Sequence, residues 1–238
     1  MRNFFCFIFI STLVISCKKN DSTNSNVDLT TDYFPVDVGH FWIYDVDSII
    51  LDNNSGSTVI DSSHHFQYKE IITANIMDDM GKPAQRLERY FRQNDSDTTW
   101  RNVNTWVIQR DNLRAQKIEE NVRFVKLIFP LSLNLQWDGN MFNNINSLNN
   151  RTPQMYSVNF FDRPFSVNGN SYGKTLKVIE YVDTNAIEEI VQYEIYSRGI
   201  GMIYSLSDSI NTQPVPNDST GKTVSRGYRY RFKLKTFQ

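Results

Sequence analysis

The feature that most restricts the fold of this chain lies near its C-terminal end, in Tyr228-Arg229-Tyr230-Arg231-Phe232-Lys233-Leu234-Lys235. Every even-numbered residue here is apolar or aromatic and every odd-numbered one is basic. A helix, turning every 3.6 residues, would scatter those charges around its axis. An extended strand points successive side chains to opposite faces and so sorts them into one dry face and one wet face. A strand with one wet face belongs in an antiparallel sheet.

Turn signals recur along the rest of the chain. They are Asn53-Asn54-Ser55-Gly56, Asp78-Asp79-Met80-Gly81-Lys82-Pro83, Asp111-Asn112, Glu119-Glu120-Asn121, Asn168-Gly169-Asn170 and the Pro-rich stretch 213–221. Asn, Asp, Gly and Pro supply the backbone angles that reversals need, and Asn-Gly is a strong hairpin signal. Between these turns, Trp42, Tyr44 and Val46 share a face, 65–69 alternates, and 100–109, 122–131 and 175–182 read as strands. Residues 85–92 also fit helical spacing through Leu87, Tyr90 and Phe91, but their neighbours favour a strand in a meander. Residues 186–196 stay open: Ile187, Ile190, Val191 and Glu194 suit a helix, whereas Val191, Tyr193 and Ile195 alternate. The expected fold is mainly β, a single antiparallel curved sheet forming a half-barrel or sandwich, with at most one or two short helices. The Asn-rich stretch 138–153 reads as one long loop, and a binding lid, if there is one, belongs there.

Composition sets limits on partners. With 40% hydrophobic and 21% charged residues and a formal charge of −1, the chain is globular and lacks the basic surface that nucleic acid requires. At the N-terminus, Arg2 precedes an apolar run from Phe4 to Ile15. Roughly 12 residues make a helix of about 18 Å, too short for a ~30 Å hydrocarbon core and suited to a signal peptide. The run ends in Val14-Ile15-Ser16-Cys17, which resembles a bacterial lipobox. The resemblance implies cleavage before Cys17 and lipidation of its sulfur; an ordinary secretory signal cut nearby, with Cys17 incidental, is the alternative. Two or more acyl chains would hold the protein firmly to a membrane. The expected organisation is then a signal peptide over 1–16, a flexible polar tether over 17–30, and one β-rich domain over 31–238. The only other cysteine, Cys6, leaves with the signal, so the folded part has no thiol for a disulfide, a metal or a nucleophile.

Four landmarks carry a family resemblance: Tyr33-Phe34-Pro35 with Gly39, Trp42 and Tyr44; Lys126-Leu127-Ile128-Phe129-Pro130-Leu131; Trp137-Asp138-Gly139-Asn140; and Gly199-Ile200-Gly201-Met202-Ile203-Tyr204. They resemble those of uncharacterised lipoproteins of the Bacteroidota, and they span most of the chain beyond the tether. That family has no assigned activity. Similar patterns occur in periplasmic half-barrel proteins that shelter lipoprotein acyl chains. The resemblance implies a cell-envelope protein, and Lys18 in place of an aspartate after Cys17 implies the outer membrane by analogy.

Candidate sites each have a plainer reading. His64 and His65 point to opposite faces of a strand, so both cannot ligate one metal ion. Asp45 and Asp47 share a face as glycosidase acids could, but cross-strand pairing with Arg229, Arg231 and Lys233 is simpler. Gly199 and Gly201 lack the third glycine and the helix of a phosphate loop. Asp47-Ser48-Ile49, Asp97-Thr98-Thr99 and Asp208-Ser209-Ile210 resemble a short O-glycosylation signal but are also turn chemistry. Trp42, Tyr44, Trp100, Trp106 and Trp137 could line a ligand cavity, although aromatics mostly serve as core. No metal, cofactor or catalytic constellation is expected. The leading expectation is a lipid-anchored binding protein for an apolar ligand, lipid or polypeptide, not an enzyme. Its rival is a structural or accessory subunit of an outer-membrane complex, and an envelope hydrolase comes third.

Overall fold

The computed structural model describes residues 28–52, 59–143, 153–214 and 222–238. Cys17, most of the tether, and residues 144–152 of the Asn-rich stretch lie outside the described residues. Twelve strands follow in chain order: β1 (Phe41–Asp52), β2 (Val59–Met77), β3 (Pro83–Arg92), β4 (Arg101–Arg110), β5 (Arg114–Glu119), β6 (Val122–Ile128), β7 (Gln136–Asp138), β8 (Met155–Val167), β9 (Asn170–Thr184), β10 (Glu188–Ser197), β11 (Gly201–Pro214) and β12 (Lys222–Phe237). A single 3-10 turn, Thr31–Tyr33, is the one helical piece among the described residues.

The strands form one antiparallel sheet in the order β6-β5-β4-β3-β2-β1-β12-β11-β10-β9-β8-β7. Two six-strand meanders thus run outward from the β1–β12 pair, and their outer margins, β6 and β7, come round to meet. Val125 N–H donates to the Gly139 carbonyl (2.8 Å), and Trp137 Nε1–H donates to the Val125 carbonyl (2.7 Å). The Asn143 side chain stands in for a missing strand: its Oδ1 accepts from Arg123 N–H (3.0 Å) and its Nδ2 donates to the Arg123 carbonyl (2.8 Å). A Cβ at Gly139 would lie 2.4 Å from the Tyr156 ring, so only glycine permits this approach. The half-barrel or sandwich expected from the sequence is therefore a nearly closed barrel.

Because every strand neighbours its antiparallel partner, the connections sort into two ends. One end holds the chain's entry at Asp28, the reversals at 78–82, 111–113 and 198–200, and the β6–β7 connection. It is sealed by residues 28–36. Tyr33 is fully buried against Phe161 (6.0 Å between rings), and its hydroxyl donates to Asp162 (3.2 Å). Arg110 donates to the carbonyls of Thr31 (3.0 Å) and Phe34 (2.8 Å), and Arg198 pairs with Asp32 (2.6 Å) and Asp28 (2.7 Å). Leu131 N–H donates to Thr30 Oγ1 (2.7 Å). Among the described residues, the far end carries the reversals at 93–100, 120–121 and 185–187.

β12 follows its sequence pattern. Leu234 is fully buried, and Phe232 packs on Tyr44 and Tyr68, each at 5.8 Å. Its basic face pairs outward: Arg231 with Asp208, Lys233 with Asp47 (2.6 Å), and Lys235 with Asp95 and Asp45 (3.7 Å to the latter). Of the cross-strand pairs expected for Asp45 and Asp47, Lys233 with Asp47 forms, whereas Arg229 and Arg231 turn to Asp208 of β11 and Asp45 lies near Lys235 instead. Residues 85–92 lie in β3 as favoured, and the open stretch 186–196 resolves as a turn at Asn185 followed by β10. Within β10, however, Val191, Tyr193 and Ile195 face away from the barrel interior, and Glu194 and Tyr196 face into it. The β8–β9 hairpin explains the inversion, because it folds across the outer face of the sheet. Phe165 lies 5.7 Å from the Tyr204 ring, and Asn168 at the tip donates to Asp45 (3.2 Å) and the Leu234 carbonyl (3.2 Å). Buried on that outer face, Ile195 needs no place in the interior.

Candidate functional site: a charged cluster inside the barrel

Charged side chains from six strands converge inside the barrel. β2 and β3 supply Glu70 and Arg89, with Arg89 Nε donating to Glu70 Oε1 (2.9 Å). The Arg89 guanidinium lies over Trp106 of β4 (4.1 Å) and near the rings of Tyr68 and Phe232 (4.7 and 5.3 Å), where stacking offsets part of the cost of dehydration. On β5, Lys117 pairs with Glu119 (2.7 Å), lies 3.7 Å from Glu70, and sits over the other part of the Trp106 environment at 4.3 Å. On β6, Lys126 contacts Glu180 of β9 and lies 2.8 Å from Glu194 of β10; Tyr196 donates its hydroxyl to Glu194.

Four carboxyl groups thus face three cations, and the electrostatics reflect the mismatch. Burial and the adjacent Glu194 charge push the Glu180 carboxyl up to about 7, against the pull of Lys126. Burial alone would depress Lys126, but Glu180 and Glu194 outweigh it and hold the ammonium well above its ordinary range. Burial likewise opposes ionisation of Glu119, yet Lys117 and Lys126 bring it down to about 2. Glu70 also lies below its usual value, because Lys117 and Arg89 overcome its burial. Proton uptake by Glu180 as the pH falls through neutrality brings the charge of the cluster towards balance.

A cavity of about 50 Å³ opens beside the cluster, between Trp42, Tyr44, Glu70, Lys117, Lys126 and Glu194, with Phe34 and Pro35 also lining it. It has room for a few water molecules at most. Trp42 Nε1–H donates to the Ile200 carbonyl (2.5 Å) and the Tyr44 hydroxyl to the Met202 carbonyl (3.0 Å), so both rings are fixed in place. A Cβ on Gly201 (φ +95°) would meet Pro35 and Trp42 at 3.2 and 3.3 Å, which accounts for the glycine there. Chemically, the arrangement can hold a proton and exchange it with water in the cavity.

Of the five aromatics proposed from the sequence, Trp42 and Tyr44 line this cavity and Trp106 belongs to the adjoining cluster. Trp137 instead closes the β6–β7 seam, edge-on to Tyr156 at 5.9 Å. Trp100 stands apart under the Arg92 guanidinium (4.4 Å). His65 pairs with Asp47 (2.5 Å), His40 packs against Trp42 (4.7 Å) with its pKa lowered by burial, and no group of three or more acidic or His side chains among the described residues could hold a metal ion. Gly199 and Gly201 form the β10–β11 turn. Cys17 lies outside the described residues.

Two further hollows are open to solvent. One, of about 270 Å³, lies on the outer face between Asp45, Asp47, His65, Gln67 and Asp95, with each carboxylate already paired. The other, of about 550 Å³, lies by Pro153, Met155, Ile179, Tyr181 and Val182.

The interior charges are what sequence reasoning missed. Lys126 sits between Val125 and Leu127, and Glu194 between Tyr193 and Ile195, so alternation assigns each charge to the wet face. The one available signal was that β9 and β10 place Glu180 and Glu194 in strands whose other face is equally apolar.

No family model and no curated protein matches this chain. Among solved structures, it is similar to a protein from Parabacteroides distasonis ATCC 8503 described as a candidate lipoprotein, with 11% identity and a TM-score of 0.34 over 87% of this chain and 99% of that one. A likeness at that level carries neither fold nor function. Among the described residues no helix is long and apolar enough to cross a membrane.

Proposed function

We propose that this chain is a lipid-anchored cell-envelope protein that works by docking through its exterior, as an accessory subunit of an outer-membrane assembly. The lipobox at Val14–Cys17 supports the anchor, and the analogy through Lys18 supports the outer membrane. The observation that carries the docking reading is the filled interior: a cavity of about 50 Å³ is far below the ~300 Å³ at which small-molecule pockets begin. Its walls are mostly apolar, with Glu70, Lys117, Lys126 and Glu194 on one side, and it is too small for any guest larger than a few waters. The cluster also carries one of the signatures of an active site, a carboxyl raised by burial and a neighbouring charge, but it offers no room for a substrate beside Glu180. Binding of an apolar ligand or polypeptide is the second reading, favoured by the open hollow of about 550 Å³ beside Tyr181.

Native mass spectrometry of the intact protein, released gently from its own membranes, tests this. The expected mass is that of residues 17–238 plus lipid. An additional small-molecule mass in fixed proportion, lost on denaturation, would overturn docking in favour of ligand binding. Cys17→Ala tests the anchor: the protein should leave the detergent phase.

A further inference from the structure

We infer that the sealed end of the barrel, the one at which the chain enters at Asp28, rests on the bilayer with its turn tips in the headgroup boundary. The inference depends on the lipidation reading and adds to it the surface that meets the membrane. Two independent observations support it.

The first concerns what the turns present. Water-facing reversals ordinarily favour Gly, Asn, Asp and Ser, yet at this end they carry large apolar residues. Met80 is 77% exposed, Leu113 63%, Leu133 50% and Val38 48%. Two of these turns are built to hold that residue outward. Asp78 Oδ1 accepts from the backbone N–H of Met80 and Lys82 (2.9 Å each), and Asp111 Oδ1 accepts from those of Leu113 (2.7 Å) and Arg114 (2.8 Å). The aspartates are thereby occupied with the backbone, while the apolar side chain two residues on projects from the tip. Lys82 and Arg114 flank those tips, an order of apolar tip and basic shoulder that suits an interface with anionic headgroups. Far-end connections are more mixed: Gln93-Asn94-Asp95-Ser96-Asp97 and Glu120-Asn121 are polar, whereas Ile187 (64% exposed), Phe142 (49%) and Met141 (42%) are exposed apolar residues.

The second concerns where the chain leaves the described structure. Asp28 is fixed at this end through Arg198 (2.7 Å). Ten residues separate it from Cys17, and even fully extended the connection reaches no more than about 40 Å. A lipid on Cys17 therefore keeps this end, rather than the far one, close to the bilayer.

The experiment uses the full lipidated chain. With Cys17 thioether-linked and Cys6 removed, an engineered cysteine is the only free thiol. Met80→Cys and Leu113→Cys at the sealed end, and Ile187→Cys and Val103→Cys at the far end, are all exposed positions. Each is labelled with a fluorophore and bound to vesicles of phosphatidylethanolamine and phosphatidylglycerol carrying headgroup-region nitroxide lipids. The sealed-end labels should be quenched at least about twofold more than the far-end labels, as burial of roughly 5–10 Å into the boundary requires. Equal quenching on protein that still floats with the vesicles overturns this inference alone. Labelling of the parent protein at Cys17, or loss of flotation, overturns the lipidation reading and this inference with it. Quenching at the sealed end that vanishes when a second envelope protein is stripped away would assign the tips to a protein partner and also overturn it.

Discussion

The two ends of this barrel are built by different means. At the sealed end, short turns and a buried N-terminal segment leave little backbone unpartnered. Tyr33 fills the opening, and arginines from β4 and the β10–β11 turn bind the segment's carbonyls and carboxylates. Beyond the end of β3, the 93–100 connection is polar, and its contacts include exposed ion pairs such as Asp95 with Lys235, whose side chains are 64% and 33% exposed. Buried aromatic packing and charge-assisted hydrogen bonds to otherwise dry carbonyls each contribute more than screened surface pairs do. Stability should accordingly be concentrated at the end where the chain begins, with the interior charge cluster lying between the two ends.

Tyr33→Ala should have the largest effect, a loss of about 3–5 kcal/mol for a fully buried aromatic. Trp100→Ala should cost less, about 1–2 kcal/mol, since its ring is only partly buried beneath the Arg92 guanidinium. Urea denaturation followed by circular dichroism reads both, and similar midpoints would remove the contrast between the ends. Arg110→Met should follow, at about 1–3 kcal/mol, because it takes the donor from the Phe34 carbonyl and one of the two donors from that of Thr31. Its counterpart Asp95→Asn in the 93–100 connection should leave the midpoint almost unchanged.

The cluster between the ends predicts a stability maximum on the acid side of neutral. Folded Glu180 keeps its proton up to about 7, whereas the unfolded glutamate releases it near 4.5. The folded chain then binds more protons between those values, and stability falls as pH rises through that window, by at most about 1.4 kcal/mol per pH unit. Folded Glu119 stays ionised down to about 2 against the same unfolded value, so stability also falls as pH drops below 4.5. Glu180→Gln should flatten the limb from 4.5 to 7 and leave the acid limb in place; denaturation midpoints across pH measure both. Arg198→Ala at the sealed end should also have a small effect. Its side chain is 28% exposed, so about 0.5–1 kcal/mol should be lost, and less in high salt.

Much of the fold was legible because its signals are local. Asn168-Gly169 has the positive φ values (49° and 79°) that a tight hairpin turn needs, and the alternation in β12 was enough to assign both of its faces. The interior cluster was not legible, and neither was the seam. Whether Lys126 faces water or the interior depends on Glu180 and Glu194, more than fifty residues away in sequence. Asn140 and Asn143 looked like loop residues, and Asn143 is in fact a surrogate strand partner for Arg123. Of the five aromatics singled out, composition favoured all equally, and only curvature separated Trp42 and Tyr44 from Trp100.

What the sequence determined alone was the period-two pattern, the positions of most reversals and a folded part without thiols. Each follows from residue type and spacing within a few positions. The tertiary structure decided which face of β10 is inside, where the sheet closes and how four carboxyl groups come to share three cations. Those outcomes depend on strand curvature and on partners distant in the chain, and no local preference encodes either.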